Sequence, residues 1–197
     1  MNLYDYPINL RLEDGTELPI RPLRKEDEKA LHEYFLRLPS NEVARLKDDV
    51  TDPKVIENWI YDLDYDHILT LVAFDGDRIV ANISLIYNPI GWTNHQAEIR
   101  ASVDPDYREK GLATAVIEHM LEIAKCMGLE QVTAEVAPTL DEAYFLCEKM
   151  GFKEAAILKN FIRDQEGGYE DLVIMVKELQ QEDSAAQLPE TKKGNQN

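Results

Sequence analysis

The sequence predicts one mixed α/β (α+β) domain, with a largely antiparallel central sheet flanked by helices. Three observations carry that expectation. Hairpin turns recur, at Asp14-Gly15, at Asp75-Gly76 and over the run Asp164-Gln165-Glu166-Gly167-Gly168, each between two strand-like segments. One strand–helix–strand unit, from Gln96 to Val136, calls for a single parallel crossover. The length, 197 residues with 44% hydrophobic and 30% charged, suits one well-filled core and is short for two.

The elements read in order as follows. Ile8, Leu10 and Leu12 alternate with polar neighbours, and Leu18-Pro19-Ile20 returns after the Asp14-Gly15 turn. From Lys25 to Leu38, Ala30, Leu31, Tyr34, Phe35 and Leu38 form one helical stripe, stopped by Pro39-Ser40. Residues 41–50 carry no clear period and read as loop. Thr51 or Asp52 is an N-cap, with Pro53 in the first turn of a helix reaching Leu63. The segments His67–Phe74 and Arg78–Tyr87 are apolar strands. The loop 88–95 holds Trp92, read either as lining a binding pocket or as capping the core, and Gln96–Val103 is the next strand. A long helix from Gly111 to Met127 stops at Gly128. Strand Gln131–Val136, helix Asp141–Met150, and strands Phe152–Ile162 and Glu170–Lys177 complete a domain over residues 1–179. Residues 180–197 turn polar, with little to bury, and read as a disordered tail.

Composition narrows the function. Lysine plus arginine number 21 against 38 acidic residues, a net charge of −17. A nucleic-acid binder needs phosphate-neutralising basic surface, so without a strong local basic patch that role is not expected. An acidic envelope favours cationic amines as well as plain solubility. No apolar run approaches the ~20 residues of a spanning helix, and the acidic N-terminal stretch does not resemble a signal peptide. The two cysteines, Cys126 and Cys147, form no CxxC pair, consistent with a reducing, cytoplasmic setting. His32, His67, His95 and His119 lack metal-ligand spacing and read as structural or surface residues; no metal is expected. Hydrophobic edge strands permit a homodimer without requiring one.

The stretch from Val103 to Thr114 is the richest in chemistry. It joins a strand to the long helix through Gly111 and the small Ala113, with Arg108 and Lys110 alongside. Such a junction offers unpaired N–H groups and the positive end of a helix dipole, which can hold a pyrophosphate. It is neither a Walker loop nor a dinucleotide fingerprint, and a ligand-free tight turn is the alternative.

Arg108-Glu109-Lys110-Gly111-Leu112-Ala113 resembles the R/Q-x-x-G-x-G/A motif of the GNAT superfamily of acyl-CoA-dependent N-acetyltransferases. Ala143-Tyr144-Phe145-Leu146-Cys147-Glu148-Lys149-Met150-Gly151-Phe152 is similar to that family's A-x-x-L-Y-x-K-x-G-F segment. The likeness runs from about Leu18 to Leu179. In the amino-terminal half, the stretch from Gly15 to Pro22 with Glu26-Asp27, and later Ala97-Glu98-Ile99, resembles the GNAT domain of bacterial protein-lysine acetyltransferases.

The resemblance implies acetyl-CoA as acyl donor and a primary amine as acceptor, a protein lysine or a small amine, with direct transfer in a ternary complex. It implies that Ala101, Ser102 and Val103 bind the pantetheine arm, that an N–H near Val103 polarises the thioester oxygen, and that Arg108, Glu109, Lys110, Gly111, Leu112, Ala113 and Thr114 hold the pyrophosphate. Glu98 is the implied general base, for which burial would raise an ordinary carboxyl pKa of ~4.3. The family's thiolate-protonating tyrosine is replaced by Cys147, leaving Cys147 or Tyr144 as general-acid candidates. Leu140 stands where many members have a cofactor-binding asparagine. These two departures keep open an alternative, a non-catalytic acyl-CoA-binding sensor. The segments 36–52 and 88–95 are the expected acceptor surface.

Overall fold

In a computed structural model, residues 6–163 and 167–179 are described. The expected tail, 180–197, and the centre of the last hairpin turn lie outside them. Eight strands form one sheet in the order β1-β2-β3-β4-β5-β6-β8-β7. They are β1 (Ile8–Arg11), β2 (Glu17–Pro22), β3 (Ile68–Asp75), β4 (Arg78–Tyr87), β5 (Gln96–Val103), β6 (Gln131–Val136), β7 (Lys153–Arg163) and β8 (Tyr169–Glu178). Every neighbouring pair is antiparallel except β5–β6. This is the mixed, largely antiparallel sheet with one parallel crossover that the hairpin signals predict.

Helices cover both faces. The central strand β3 is buried on both sides, so its alternate residues feed two cores. Leu69, Leu71 and Ala73 pack with Val116, Met120 and Ala124 of α4 (Leu112–Cys126), and Ala143 and Leu146 of α5 (Asp141–Lys149) lie against this same core. Val72 and Phe74 pack with Leu31, Tyr34 and Phe35 of α1 (Glu28–Phe35) and Ile56 and Ile60 of α3 (Pro53–Tyr61). Asp52 caps α3, accepting the Lys54 N–H at 2.9 Å.

Three expectations change. The first long helix splits: residues Lys25–Asp27 form a 3-10 turn, and α1 ends at Phe35. Leu38 is still buried with the α1 stripe, which is why apolar periodicity extends past the helix. A short helix, α2 (Ser40–Val43), appears where the sequence reads as loop. Trp92 does not cap the core, being 89% exposed.

The exit of β5 is fixed by a buried ion cluster. Asp104 is 1% exposed and accepts hydrogen bonds from Arg37 Nε at 2.8 Å and Arg78 Nη2 at 2.8 Å. It also caps the 3-10 turn Pro105–Tyr107 through the Asp106 N–H. Burial would raise this carboxyl, but the hydrogen bonds from Arg37 and Arg78 outweigh it and hold it below the usual range. Asp104→Asn is expected to destabilise the fold by about 1–3 kcal/mol, since Arg37 loses its counter-charge and Arg78 keeps only that of Asp106. Because the folded-state pKa is depressed, the charge contribution is complete above about pH 4 and is lost as pH falls through the folded value. Denaturant midpoints of the two proteins should therefore converge on acidification.

Candidate active site

The parallel ladder between β5 and β6 is short. It pairs Gln96 with Gln131, Ala97 with Val132 and Glu98 with Thr133, and goes no further. Beyond that point β5 stays with β4, from Ile99 opposite Leu85 to Val103 opposite Ala81, while β6 stays with β8 as far as Val136. The two strands therefore diverge. The Asp104 N–H donates to the Val80 carbonyl at 2.9 Å in the register of the β4–β5 ladder. That sets the phase: even-numbered residues of β5 pair with β4, and Ile99, Ala101 and Val103 turn their N–H and C=O groups into the gap. Ala97 and Ile99 are buried, whereas Ala101, on the same face, is exposed.

The loop after β5 leads to the head of α4. Glu109 has φ 57 and Gly111 φ 80, two left-handed residues one apart. The first intrahelical bond runs from the Ala115 N–H to the Gly111 carbonyl at 2.9 Å, and no side chain caps the helix. The N–H groups of Leu112, Ala113 and Thr114 thus precede the ladder and remain donors for a ligand. Lys110 Nζ is turned back to the Asp106 carbonyl at 2.8 Å and lies over the Tyr107 ring. Arg108 is gripped by Glu42 of α2 at 2.7 Å. A phosphate would have to compete with that carboxylate for it.

Alternation puts Glu98, Arg100 and Ser102 on the α1 side of the sheet. The buried Tyr34 hydroxyl donates to Ser102 Oγ at 2.8 Å, orienting it. Glu98 Oε1 accepts from Arg100 Nε at 2.7 Å and from Lys47 Nζ at 2.9 Å. Lys47 also reaches Glu135 Oε2 of β6 at 2.9 Å, so one ammonium bridges the two diverging strands. Burial alone would raise the Glu98 carboxyl as the sequence suggests. Hydrogen bonds from Arg100 and Lys47 win, and its pKa lies below the usual carboxylate range.

The segment carrying Lys47 is a strap across the gap. At one side Glu42 holds Arg108; at the other Arg45 Nε binds Glu170 at 2.9 Å and its Nη2 binds Thr139 Oγ1 at 3.0 Å. Glu42, Arg45 and Lys47 fall in the expected acceptor segment 36–52 without being singled out there, Tyr34 reads in sequence only as core and Glu135 only as part of a strand; their role follows from where the chain brings them.

The general-acid candidates sit on α5. The Tyr144 hydroxyl is directed to Glu154 Oε2 of β7 at 3.4 Å. Burial pushes the Cys147 thiol up to about 11. The thiolate is the reactive form, so at pH 8 Cys147 should alkylate with iodoacetamide at least about tenfold more slowly than the exposed Cys126. Peptide mapping of the alkylated protein checks this. Leu140 precedes α5 with no side-chain cap bond. His119 pairs with the Tyr6 hydroxyl at 2.8 Å, a structural contact between α4 and the chain before β1.

A model of the acetyltransferase (GNAT) family matches residues 29–152. The chain belongs to that family. Over 74 residues it is 36% identical to the [ribosomal protein bS18]-alanine N-acetyltransferase of Escherichia coli K12, which is 38% of this chain and 49% of that protein. The match thus spans about half the length of that relative. An acetyltransferase of Pseudomonas aeruginosa is 26% identical over 147 residues, covering 72% of this chain and 77% of its own. Among solved structures, the GNAT domain of the S. lividans PAT shares the fold with TM-score 0.72 and 19% identity, over 87% of this chain and 96% of that one. Mycobacterium smegmatis RimJ in complex with CoA-disulfide does so with TM-score 0.70 and 20% identity, over 88% of each chain. In this GNAT protein the divergent strands and the glycine turn therefore lie inside the family match. No helix of the described residues is long and apolar enough to cross a membrane.

Proposed function

We propose that this GNAT protein is an N-acetyltransferase, moving an acetyl group from acetyl-CoA to a primary amine, with a protein lysine as acceptor. One observation carries the reading: strands that part at Glu98, followed along β5 by a left-handed glycine turn heading α4. The free groups of Ala101 and Val103, with Ser102 beside them, suit the amide-bearing pantetheine arm. The residues Arg108, Glu109, Lys110, Gly111, Leu112, Ala113 and Thr114 suit its pyrophosphate. An N–H such as that of Val103 would polarise the thioester carbonyl as negative charge develops there.

A lysine amine arrives protonated, its ordinary pKa being ~10.4. Glu98 takes one proton, and the neutral nitrogen attacks the thioester carbon. Transfer is direct, because a thiol held near 11 at Cys147 is a poor acyl carrier. It is also a poor acid, since giving its proton to a CoA thiolate of ordinary basicity runs uphill; solvent protonates the leaving group instead. The carboxylates of Glu98 and Glu135, already around one ammonium, favour a cationic acceptor.

A second reading, an N-terminal alanine amine as acceptor, is favoured by the names of the ribosomal-protein relatives. Titration of cofactor-stripped protein with acetyl-CoA, followed by CoA release with two peptides, tests both. Micromolar binding and turnover of an N-terminally blocked lysine peptide supports the proposal. Turnover only of a lysine-free peptide with a free alanine terminus supports the second reading. No binding at millimolar acetyl-CoA rejects both.

A further inference from the structure

We propose that Lys47 is itself an acetylation site: its ε-amine is the acceptor of an intramolecular transfer from acetyl-CoA bound in the gap between β5 and β6. The inference rests on the acetyltransferase reading above. It starts from a placement that reading does not require. Lys47 Nζ lies 2.9 Å from an oxygen of the candidate base Glu98 and 2.9 Å from Glu135 Oε2. Hydrogen-bond reach is what a general base needs to the proton it removes. The two carboxylates belong to the two strands that diverge at this point, so the amine sits at the mouth of the gap. Its side chain is 45% exposed, which leaves it room to turn toward a bound thioester.

Other lysines are placed differently. Lys29 pairs with Glu33 and Lys125 with Glu122 on helix surfaces, and Lys159 pairs with Asp171. The strap also explains why Lys47 stays in position. Arg45 on Glu170 and Thr139 ties the segment down beside the gap, and Glu42 on Arg108 does so until a phosphate claims that guanidinium, so presenting Nζ carries little further ordering cost.

The step balances without another reactant. Glu98 takes one proton from the Lys47 ammonium, and the nitrogen lone pair forms a bond to the thioester carbonyl carbon. The carbon–sulfur bond breaks, its electron pair leaving with sulfur. The second nitrogen proton passes through solvent to the thiolate, giving free CoA and Nε-acetyl-Lys47. The acetylated nitrogen is neutral, and both ion pairs with Glu98 and Glu135 are lost.

The test uses the full chain, stripped of prior acetylation by a deacetylase and incubated with acetyl-CoA alone. Peptide mass spectrometry follows each lysine at several protein concentrations. Lys47 should gain an acetyl group at least about tenfold faster than Lys29, Lys125 and Lys159, at a rate per molecule independent of protein concentration. Lys47→Arg should remove that fast site, and Glu98→Gln should slow it by at least about tenfold while slow chemical acetylation elsewhere is unaltered. Modification of Lys47 no faster than of the surface lysines, the same rate in urea-unfolded protein or in Glu98→Gln, or a per-molecule rate that rises with protein concentration overturns the inference. Titration and peptide turnover on the same sample separate the two failures. If acetyl-CoA binds and a peptide amine is acetylated while Lys47 stays free, this inference falls alone; if acetyl-CoA does not bind, both fall.

Discussion

Gly111→Glu is expected to weaken acetyl-CoA binding by at least about a hundredfold, or about 2.7 kcal/mol. Gly111 sits at φ 80, where an L side chain is strained, and it is the residue from which α4 starts. A glutamate there would hold a carboxylate beside the N–H groups of Leu112, Ala113 and Thr114, at the helix end that favours anions. It would both occupy those donors and repel a pyrophosphate. Part of the effect is steric: a Cβ at this position would lie 2.8 Å from Cγ and 3.1 Å from Cδ of Glu13, an exposed side chain able to move. Gly111→Ala isolates that part, with an expected stability loss of about 1 kcal/mol and a much smaller loss of affinity. Isothermal titration of both variants, beside thermal unfolding, reads the difference. A folded Gly111→Glu protein with unchanged affinity would take the pyrophosphate away from this turn.

That turn was legible because its signals are local. A glycine between a strand and a long apolar-periodic helix needs no distant partner to be noticed, and the strand bounds of Gln96–Val103 and Gln131–Val136 follow from their own apolar runs. Alternation likewise places Glu98, Arg100 and Ser102 on one face. The rest of the site is not local. Lys47 meets Glu98 across 51 positions of sequence and Glu42 meets Arg108 across 66, and the four-residue helix between Pro39 and Ala44 buries no residue that could set a period. Asp104 reads in sequence only as a strand exit before Pro105, yet it is the buried anion of Arg37 and Arg78, 67 and 26 positions away. The direction of the Glu98 pKa failed for the same reason: burial is foreseeable from a strand pattern, two cationic donors from separate segments are not.

Glu98→Gln is expected to lower kcat for acetylation of a lysine peptide by about 10²–10⁴-fold, the range of a general base. Affinity for CoA should stay within about twofold, because the change adds no charge at the phosphate loop and keeps the side-chain shape. The carboxyl pKa is depressed in the free protein, so Glu98 is ionised throughout about pH 5–8 and its own titration does not shape kcat/KM there. With the proton passing from the substrate ammonium to an already ionised Glu98, log(kcat/KM) should be flat over this range; in Glu98→Gln the amine must arrive neutral, so log(kcat/KM) should be lower and rise about one unit per pH unit toward the amine's ordinary ~10.4. An incoming ammonium replaces that of Lys47 beside Glu98, one cation for another, so the carboxylate need not change its protonation when substrate binds. An inflection between pH 5 and 7 that disappears in Glu98→Gln would contradict this, meaning that the acceptor strips Arg100 and Lys47 from the base. Unchanged CoA affinity with wild-type amine-dependent CoA release would instead remove Glu98 from the chemistry. If neither protein acetylates any amine while both bind CoA, the non-catalytic acyl-CoA sensor becomes the better account, and the bridge from Lys47 to Glu98 and Glu135 is then a structural tie between parting strands.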